Sequence, residues 1–344
     1  MRGCSLKKIT INDVAEHAGV SKKTISRVLN NELNVSIDTK TKVLRSFQLL
    51  GYRPNPQARG LASNQSFLIG LLYDNPNKSY VTDNQIGALE SCQKDGYNLV
   101  IYPEDYESSD LLDRLTSILT NSFLDGLILT PPFSDMLPLL NLLEQMKVQY
   151  VRIGPTINFD RSPCVISNDL DAAYQMTRYL ISLGHTKIGF IKGHPDHSVS
   201  SLRLAGYQKA LEEVSISVVP ELIQQGYFTF RSGEDCGRKL LNLENRPTAI
   251  FASNDYIAAG VLKVANQMNI SIPHQLSVCG FDDAPISRYI WPSLTTIKQP
   301  IRTMGAEAAK LLIKQIKDRH LQHTVIKFED ELIVRESSAP VPHN

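Results

Sequence analysis

Two groups of residues in this chain have types and spacing suited to chemistry, and both suit binding. In the first sixty residues, Ser21, Lys22, Lys23, Ser26 and Arg27 follow a glycine and crowd the start of an amphipathic segment. Cations on the first half of a helix are what major-groove recognition uses, and a guanidinium there can hold guanine O6 and N7 bidentately. Farther on, Tyr80, Arg203, Phe228, Asn254-Asp255 and Asp282-Asp283 each come soon after an apolar run. An aromatic, an arginine, an amide and carboxylates on separate loops suit a pocket for a polar ring, with aromatic faces covering the ligand and polar groups holding its edge. Asp255 serves equally well as a helix cap, and Asp283 could do similar work. Other chemistries fail. His194 and His197 stand three apart and are read as lacking the acidic or cysteine partner a metal site needs, so no metal is expected. Gly184–Gly189 has phosphate-loop glycine spacing but no Lys-Ser/Thr ending, and GxSxG, HExxH and GxGxxG are absent, so catalysis has no support.

Charge separates the two groups. Residues 1–62 hold eleven Lys or Arg against four acids, 11 − 4 = +7, while the whole 344-residue chain is at +1, leaving 1 − 7 = −6 for the rest. A small basic module on a larger acidic body points to a polyanion partner for the first part only. No run of eighteen apolar residues and no secretory signal is seen, so the cytoplasm and no membrane contact are expected. Five scattered cysteines without a CxxC pair fit reduced packing thiols. No cofactor is expected.

The elements that must position these residues are legible from periodicity. Ile11, Val14, Ala15 and Ala18 share a helical face that Thr10 or Asn12 could cap, Gly19 supplies a turn, and Ser21 starts a second helix with Ile25, Val28 and Leu29 inward. That pattern predicts a helix-turn-helix. A third helix, roughly 37–50, closes the small core, and Pro54 and Pro56 end the domain. From about residue 67, apolar strands alternate with amphipathic helices, which predicts parallel sheets covered on both faces. The expected strands are 67–73, 98–102, 126–130, 149–153, 165–167, 187–192, 223–225, 249–252, 276–280, 295–298 and 331–335. The expected helices are 84–95, 111–121, 170–183, 201–213, 233–241, 256–268 and 301–317. About 275 residues of this kind form two lobes more readily than one.

The run DVAEHAGVSKKTISRVLN (13–30), then VS, then GYRPNPQARGLAS (51–63), resembles the headpiece and hinge of the lactose/galactose repressor family. LISLGHTKIGFIKG, RLAGYQKAL, PTAIFASNDYIAAGVL, SVCGFDD and SLTTIKQP resemble its effector-binding core, a relative of periplasmic binding proteins, so the likeness spans nearly the whole chain. The resemblance implies an all-α helix-turn-helix headpiece plus an α/β two-lobed periplasmic-binding-protein-like domain with parallel sheets. The implied domains are a headpiece at 1–52, a hinge at 53–65 and a sensor at 66–344. Lobe 1 would span about 66–166 and 299–326, and lobe 2 about 167–298 and 327–344. It implies base reading by Lys22, Lys23 and Arg27 and backbone or groove contacts by Asn30 and Arg59. It implies a minor-groove wedge at Leu61, which costs unstacking energy that a bent, better-contacted duplex offsets. Arg203, Phe228, Asn254 and Asp282 fall on effector-holding positions, Tyr80 on an aromatic contact of the purine branch, and His197 and Ser200 within a pattern, HPDHSVSSLR, like that of a carbohydrate-responsive branch. Gly154 and Ser167-Asn168-Asp169 depart from the family pattern. The implied protein is a homodimeric transcription regulator, a repressor, that binds double-stranded operator DNA and responds to a small molecule, a carbohydrate ahead of a purine or nucleoside. A free solute-binding protein and an α/β sugar enzyme are the rivals.

Overall fold

A computed structural model of the chain describes residues 9–29, 34–52, 65–318 and 324–341. The chain divides into two compact units, 1–66 and 67–344.

In the first unit, α1 (Ile11–Ala18), α2 (Lys22–Leu29) and α3 (Ile37–Leu50) close around Val14, Ala15, Ile25, Val28 and Val43. Local signals decide this. The amide and the hydroxyl of Thr10 both donate to the Asp13 carboxylate at 2.7 Å, so Thr10 rather than Asn12 opens α1. Gly19 ends α1 at φ 64, where a side chain would be strained, and the amides of Gly19 and Val20 return to Glu16 and Ala15. The Ser21 hydroxyl accepts the Thr24 amide at 3.1 Å and starts α2.

In the second unit, β1 (Leu68–Tyr73), β2 (Asn98–Pro103), β3 (Gly126–Leu129), β4 (Gln149–Ile153), β5 (Cys164–Ser167) and β11 (Val325–Phe328) form a parallel sheet. Its order is β11-β5-β4-β3-β1-β2. Strand alternation explains its two cores. Ile69, Leu71, Ile128 and Val151 face one core with residues of α4 (Lys78–Lys94) and α12 (Ile301–Lys317). Leu72, Leu127 and Leu129 face the other with residues of α5 (Leu111–Asn121) and α6 (Leu137–Gln145). A second parallel sheet joins β7 (Ile223–Gln225), β6 (Ile188–Lys192), β8 (Ala249–Ala252) and β9 (Ser277–Cys279) in that order. Beside it pack α7 (Asp169–Ser182) and α8 (Val199–Glu213) on one face, α9 (Phe230–Leu241) and α10 (Asp255–Gln267) on the other. The short α11 (Ile286–Tyr289) follows β9, and β10 (Thr296–Lys298) pairs antiparallel with β12 (Glu331–Ile333).

The chain passes between the sheets three times: after β5, after β10 and after β11. The third passage corrects the expected lobe boundary at 326/327. Lys327 and Phe328 pair with Ile166 and Ser167 in the first sheet, so the crossing follows Phe328. The strand escaped notice because it is an edge strand of alternating exposed and half-buried residues. Two other expectations change. Helix α4 begins at Lys78, not near 84, because the Asn77 side chain caps it by accepting the Tyr80 amide, so Tyr80 sits on its first turn rather than in a loop. Helix α8 begins at Val199, so Arg203 lies in its second turn rather than at its start. Helix α6 was not expected.

Candidate effector pocket and nucleic-acid interface

On α2, Ile25 and Val28 turn inward, Lys22 and Lys23 are exposed, as is Ser21 just before it, and Ser26 and Arg27 are half-buried. The first turn of α2 has no acidic residue. Two lysines there stand at the positive end of the helix dipole, an unfavourable position that an approaching phosphate would relieve. Asn30, Arg59 and Leu61 lie outside the described residues.

The second site is built on Arg203. Only 4% exposed, it is held by α8 over the carboxyl ends of the second sheet. Its Nε donates to Asp169 at 2.7 Å, one Nη donates to the Ser253 carbonyl at 2.5 Å, and the Asp282 carboxylate lies 3.7 Å away. The guanidinium carbon stands 3.6 Å from the centre of the Phe281 ring, a cation–π contact. Burial weighs against the cation, but Asp169 and Asp282 outweigh it and raise its pKa. Asp282 follows β9 at φ 104, a conformation rare for a side-chain-bearing residue. Its other oxygen accepts the Asn77 side-chain amide at 2.7 Å, which joins the two lobes across the cleft. Burial first, then Asp169 and Asp330, push the Asp282 carboxyl up to about 7 against the pull of Arg203.

Phe228, also at positive φ (56°), lays its ring 5.5 Å from His197 and 5.9 Å from Arg203. The space it occupies depends on Gly193, where a Cβ would lie 2.0 Å from the Phe228 ring. Burial pushes His197 down to about 3, with His194 and Arg203 adding to the effect, so its imidazole is neutral. Burial also raises the Tyr80 phenol, helped by Asp169 and Asp282. Five of the six expected effector residues, Tyr80, His197, Arg203, Phe228 and Asp282, thus line one cleft. Asn254 does not. Fully buried, it caps α10 through the Ile257 amide and donates to the Phe228 carbonyl, so it supports the ring from behind. Asp255 neither caps nor lines the cleft, since its carboxylate accepts the Ala284 amide and the Thr296 hydroxyl. Asp283 binds Arg335 and the Ser287 hydroxyl. Gly154, Ser167 and Asp169 all face the pocket, as do Asn77 and Met304, which sequence reasoning did not single out.

The three crossings meet beside this pocket. The Ser167 hydroxyl lies 2.6 Å from both Asp330 oxygens, and the Gln299 amide donates to Ser167 at 3.0 Å. Burial, reinforced by Asp169, lifts Asp330 to about 7 as well. Asp169, Asp282 and Asp330 therefore share one arginine. A carboxyl raised in the folded state holds its proton where the unfolded chain has released it. Its stabilising contribution is complete below about pH 3.8 and is lost as pH rises through about 7. Asp330→Asn removes one of these titrations, so its stability relative to the parent should improve from pH 5 to pH 8 in urea denaturation. A difference independent of pH would refute the shared-charge account.

Among known families, the model described as "Bacterial regulatory proteins, lacI family" matches residues 10–55, and the "Periplasmic binding protein-like domain" matches 177–338. The HTH-type transcriptional repressor PurR of Histophilus somni is 31% identical over 331 residues, covering 95% of this chain and 98% of the relative. The chain belongs to the LacI family. The ribose operon repressor of Haemophilus influenzae is 33% identical over 329 residues, with coverage of 95% and 98%. The lac repressor dimer bound to operator and the anti-inducer ONPF superposes with a TM-score of 0.78 at 26% identity, covering 97% of this chain and all of that one. The complex of the transcriptional regulator CelR with cellobiose gives 0.74 at 28% identity, covering 96% and 99%. The expected fold class, a helix-turn-helix head with a parallel α/β body, agrees with these LacI-family structures. The LacI-family chain is a DNA-binding transcription repressor rather than an enzyme.

Proposed function

We propose that this LacI-family repressor binds a two-fold symmetric operator as a homodimer and changes its DNA affinity when a neutral, hydroxyl-rich sugar fills the cleft. In this reading residues 1–52 grip DNA through Ser21, Lys22, Lys23, Ser26 and Arg27, residues 53–65 connect, and residues 66–344 sense. The observation that carries the ligand class is the arrangement of Arg203, Asp169, Asp282 and Asn77 beside the Phe228 ring. Carboxylates outnumber the cation, so hydroxyl donors satisfy the site while a phosphorylated sugar meets like charge. The cellobiose complex of CelR and the name of the ribose operon repressor support a sugar. Tyr80, lining the same cleft, favours a second reading in which a purine base or nucleoside stacks there. Tyr289 and Trp291, 82% and 84% exposed, offer apolar surface to a second copy. No helix among the described residues is long and apolar enough to cross a membrane, and the proposed place of action is the cytoplasm, with the DNA.

Thermal melting with ribose, cellobiose, glucose 6-phosphate and adenosine tests the ligand class. A neutral sugar at a hundred times its Kd should add about 2.7 kcal/mol. Stabilisation by the phosphosugar alone would reject the reading, and stabilisation by adenosine alone would select the second one.

A further inference from the structure

A second cluster stands at the mouth of the cleft. Two loops approach there, one after β2 in the first lobe carrying Asp105 and Glu107, the other after β6 in the second lobe carrying His194 and Asp196. Ligand-type atoms of Glu107, His194 and Asp196 lie within 4.8 Å of one another. The acidic partner that His194 was read as lacking is therefore present twice. Asp196 is two residues away in sequence, its carboxylate 3.5 Å from the His194 Nδ1, and Glu107 comes from the other lobe, 87 residues earlier in the numbering. The adjoining space is also lined by Asp74 and Asp105. Four carboxylates and two imidazoles thus line this space from both sides of the cleft, without a lysine or arginine among them.

We propose that this cluster binds one first-row divalent cation, zinc above all, and that the ion bridges the two lobes. Size fits with modest movement. Bonds of about 2.0–2.2 Å to nitrogen and oxygen set tetrahedral ligand atoms roughly 3.4 Å apart. The His194–Asp196 edge, at 3.5 Å, already meets that spacing, and the edges to Glu107, within 4.8 Å, must contract by at most about 1.4 Å. Glu107 and Asp196 are exposed and His194 is half-buried, so side-chain rotation can supply that contraction. Chemistry selects the metal. One imidazole nitrogen with carboxylate oxygens suits zinc, whereas calcium and magnesium favour oxygen-only shells. Asp74 and Asp105 add negative potential, and a fourth coordination position is left for water. Because Glu107 belongs to one lobe and His194 and Asp196 to the other, the ion holds the lobes together only when both are in place. Ion binding and cleft closure then favour each other. His197 lines both this space and the effector cleft, so the ion would sit next to the ligand.

Equilibrium dialysis of the tag-free full-length chain against ZnCl2, with MgCl2 in parallel, tests this. About one zinc per chain is expected, with much weaker uptake of magnesium. His194→Ala and, separately, Glu107→Gln should each lower zinc affinity by more than the roughly 10–100-fold that loss of an outer-shell partner costs. Zinc should raise the melting temperature of the parent and not of Glu107→Gln, whose metal-free melting should match the parent because the side chain is exposed. Zinc binding retained in His194→Ala, absent in the parent, or equalled by magnesium overturns the site. Zinc affinity unchanged in Glu107→Gln overturns the bridge.

Discussion

Arg203→Ala is expected to abolish the response to ligand and to destabilise the body by about 3–5 kcal/mol, the usual result of stripping the partner from a buried charge. The cause is specific. Asp169 loses its 2.7 Å donor, the Ser253 carbonyl loses its own, and Asp282 loses the one cation opposing the burial that already lifts its pKa to about 7. Part of the loss is avoidable by protonation, since a neutral carboxyl needs no cation. The destabilisation should therefore be smaller at pH 5 than at pH 8. Arg203→Lys keeps a charge but not the planar fork that reaches Asp169 and Ser253 together, so it should recover stability more than ligand response. Urea denaturation at the two pH values and ligand titration read both effects. Normal ligand response in Arg203→Ala would place the effector elsewhere.

Arg27→Ala is expected to lower operator discrimination by about 1–3 kcal/mol, roughly 5- to 150-fold, while ligand binding to the body stays intact. A lysine that touches only phosphate behaves differently. Lys22→Ala, if confined to the backbone, should weaken all duplexes alike and reduce the salt slope by about one. Binding of an enriched symmetric duplex and a scrambled one across a salt series separates the two roles. An unchanged specific-to-scrambled ratio in Arg27→Ala would remove it from base reading. The two predictions also separate the units, since one mutation should silence the sensor and the other should blunt the reader.

Much of the head was readable from the chain because its signals are local. Gly19 ends α1 within one turn of the residues it caps, Ser21 reaches only to Thr24, and the inward face of α2 follows from spacing alone. The strands of the body were legible for a similar reason, since apolar runs such as AIFA and IGFIK declare a buried sheet without reference to any partner. Elements lacking such a signature were misplaced or missed: polar KSYVTD at the start of α4, and the edge strand β11.

The candidate pocket divides along the same line. Types such as Arg203, Phe228 and Asp282 stand out in sequence because each follows a strand, where ligands of such folds gather. What each one does was decided only by tertiary structure. Asn77 meets Asp282 across 205 positions, Ser167 meets Asp330 across 163, and Asn254 turned out to serve the Phe228 backbone rather than the cleft. The physical reason is range. Capping, turns and amphipathic spacing are satisfied within a few residues, so the chain alone specifies them. The sharing of one buried cation among three carboxylates has no meaning until three crossings bring their segments into one low-dielectric space.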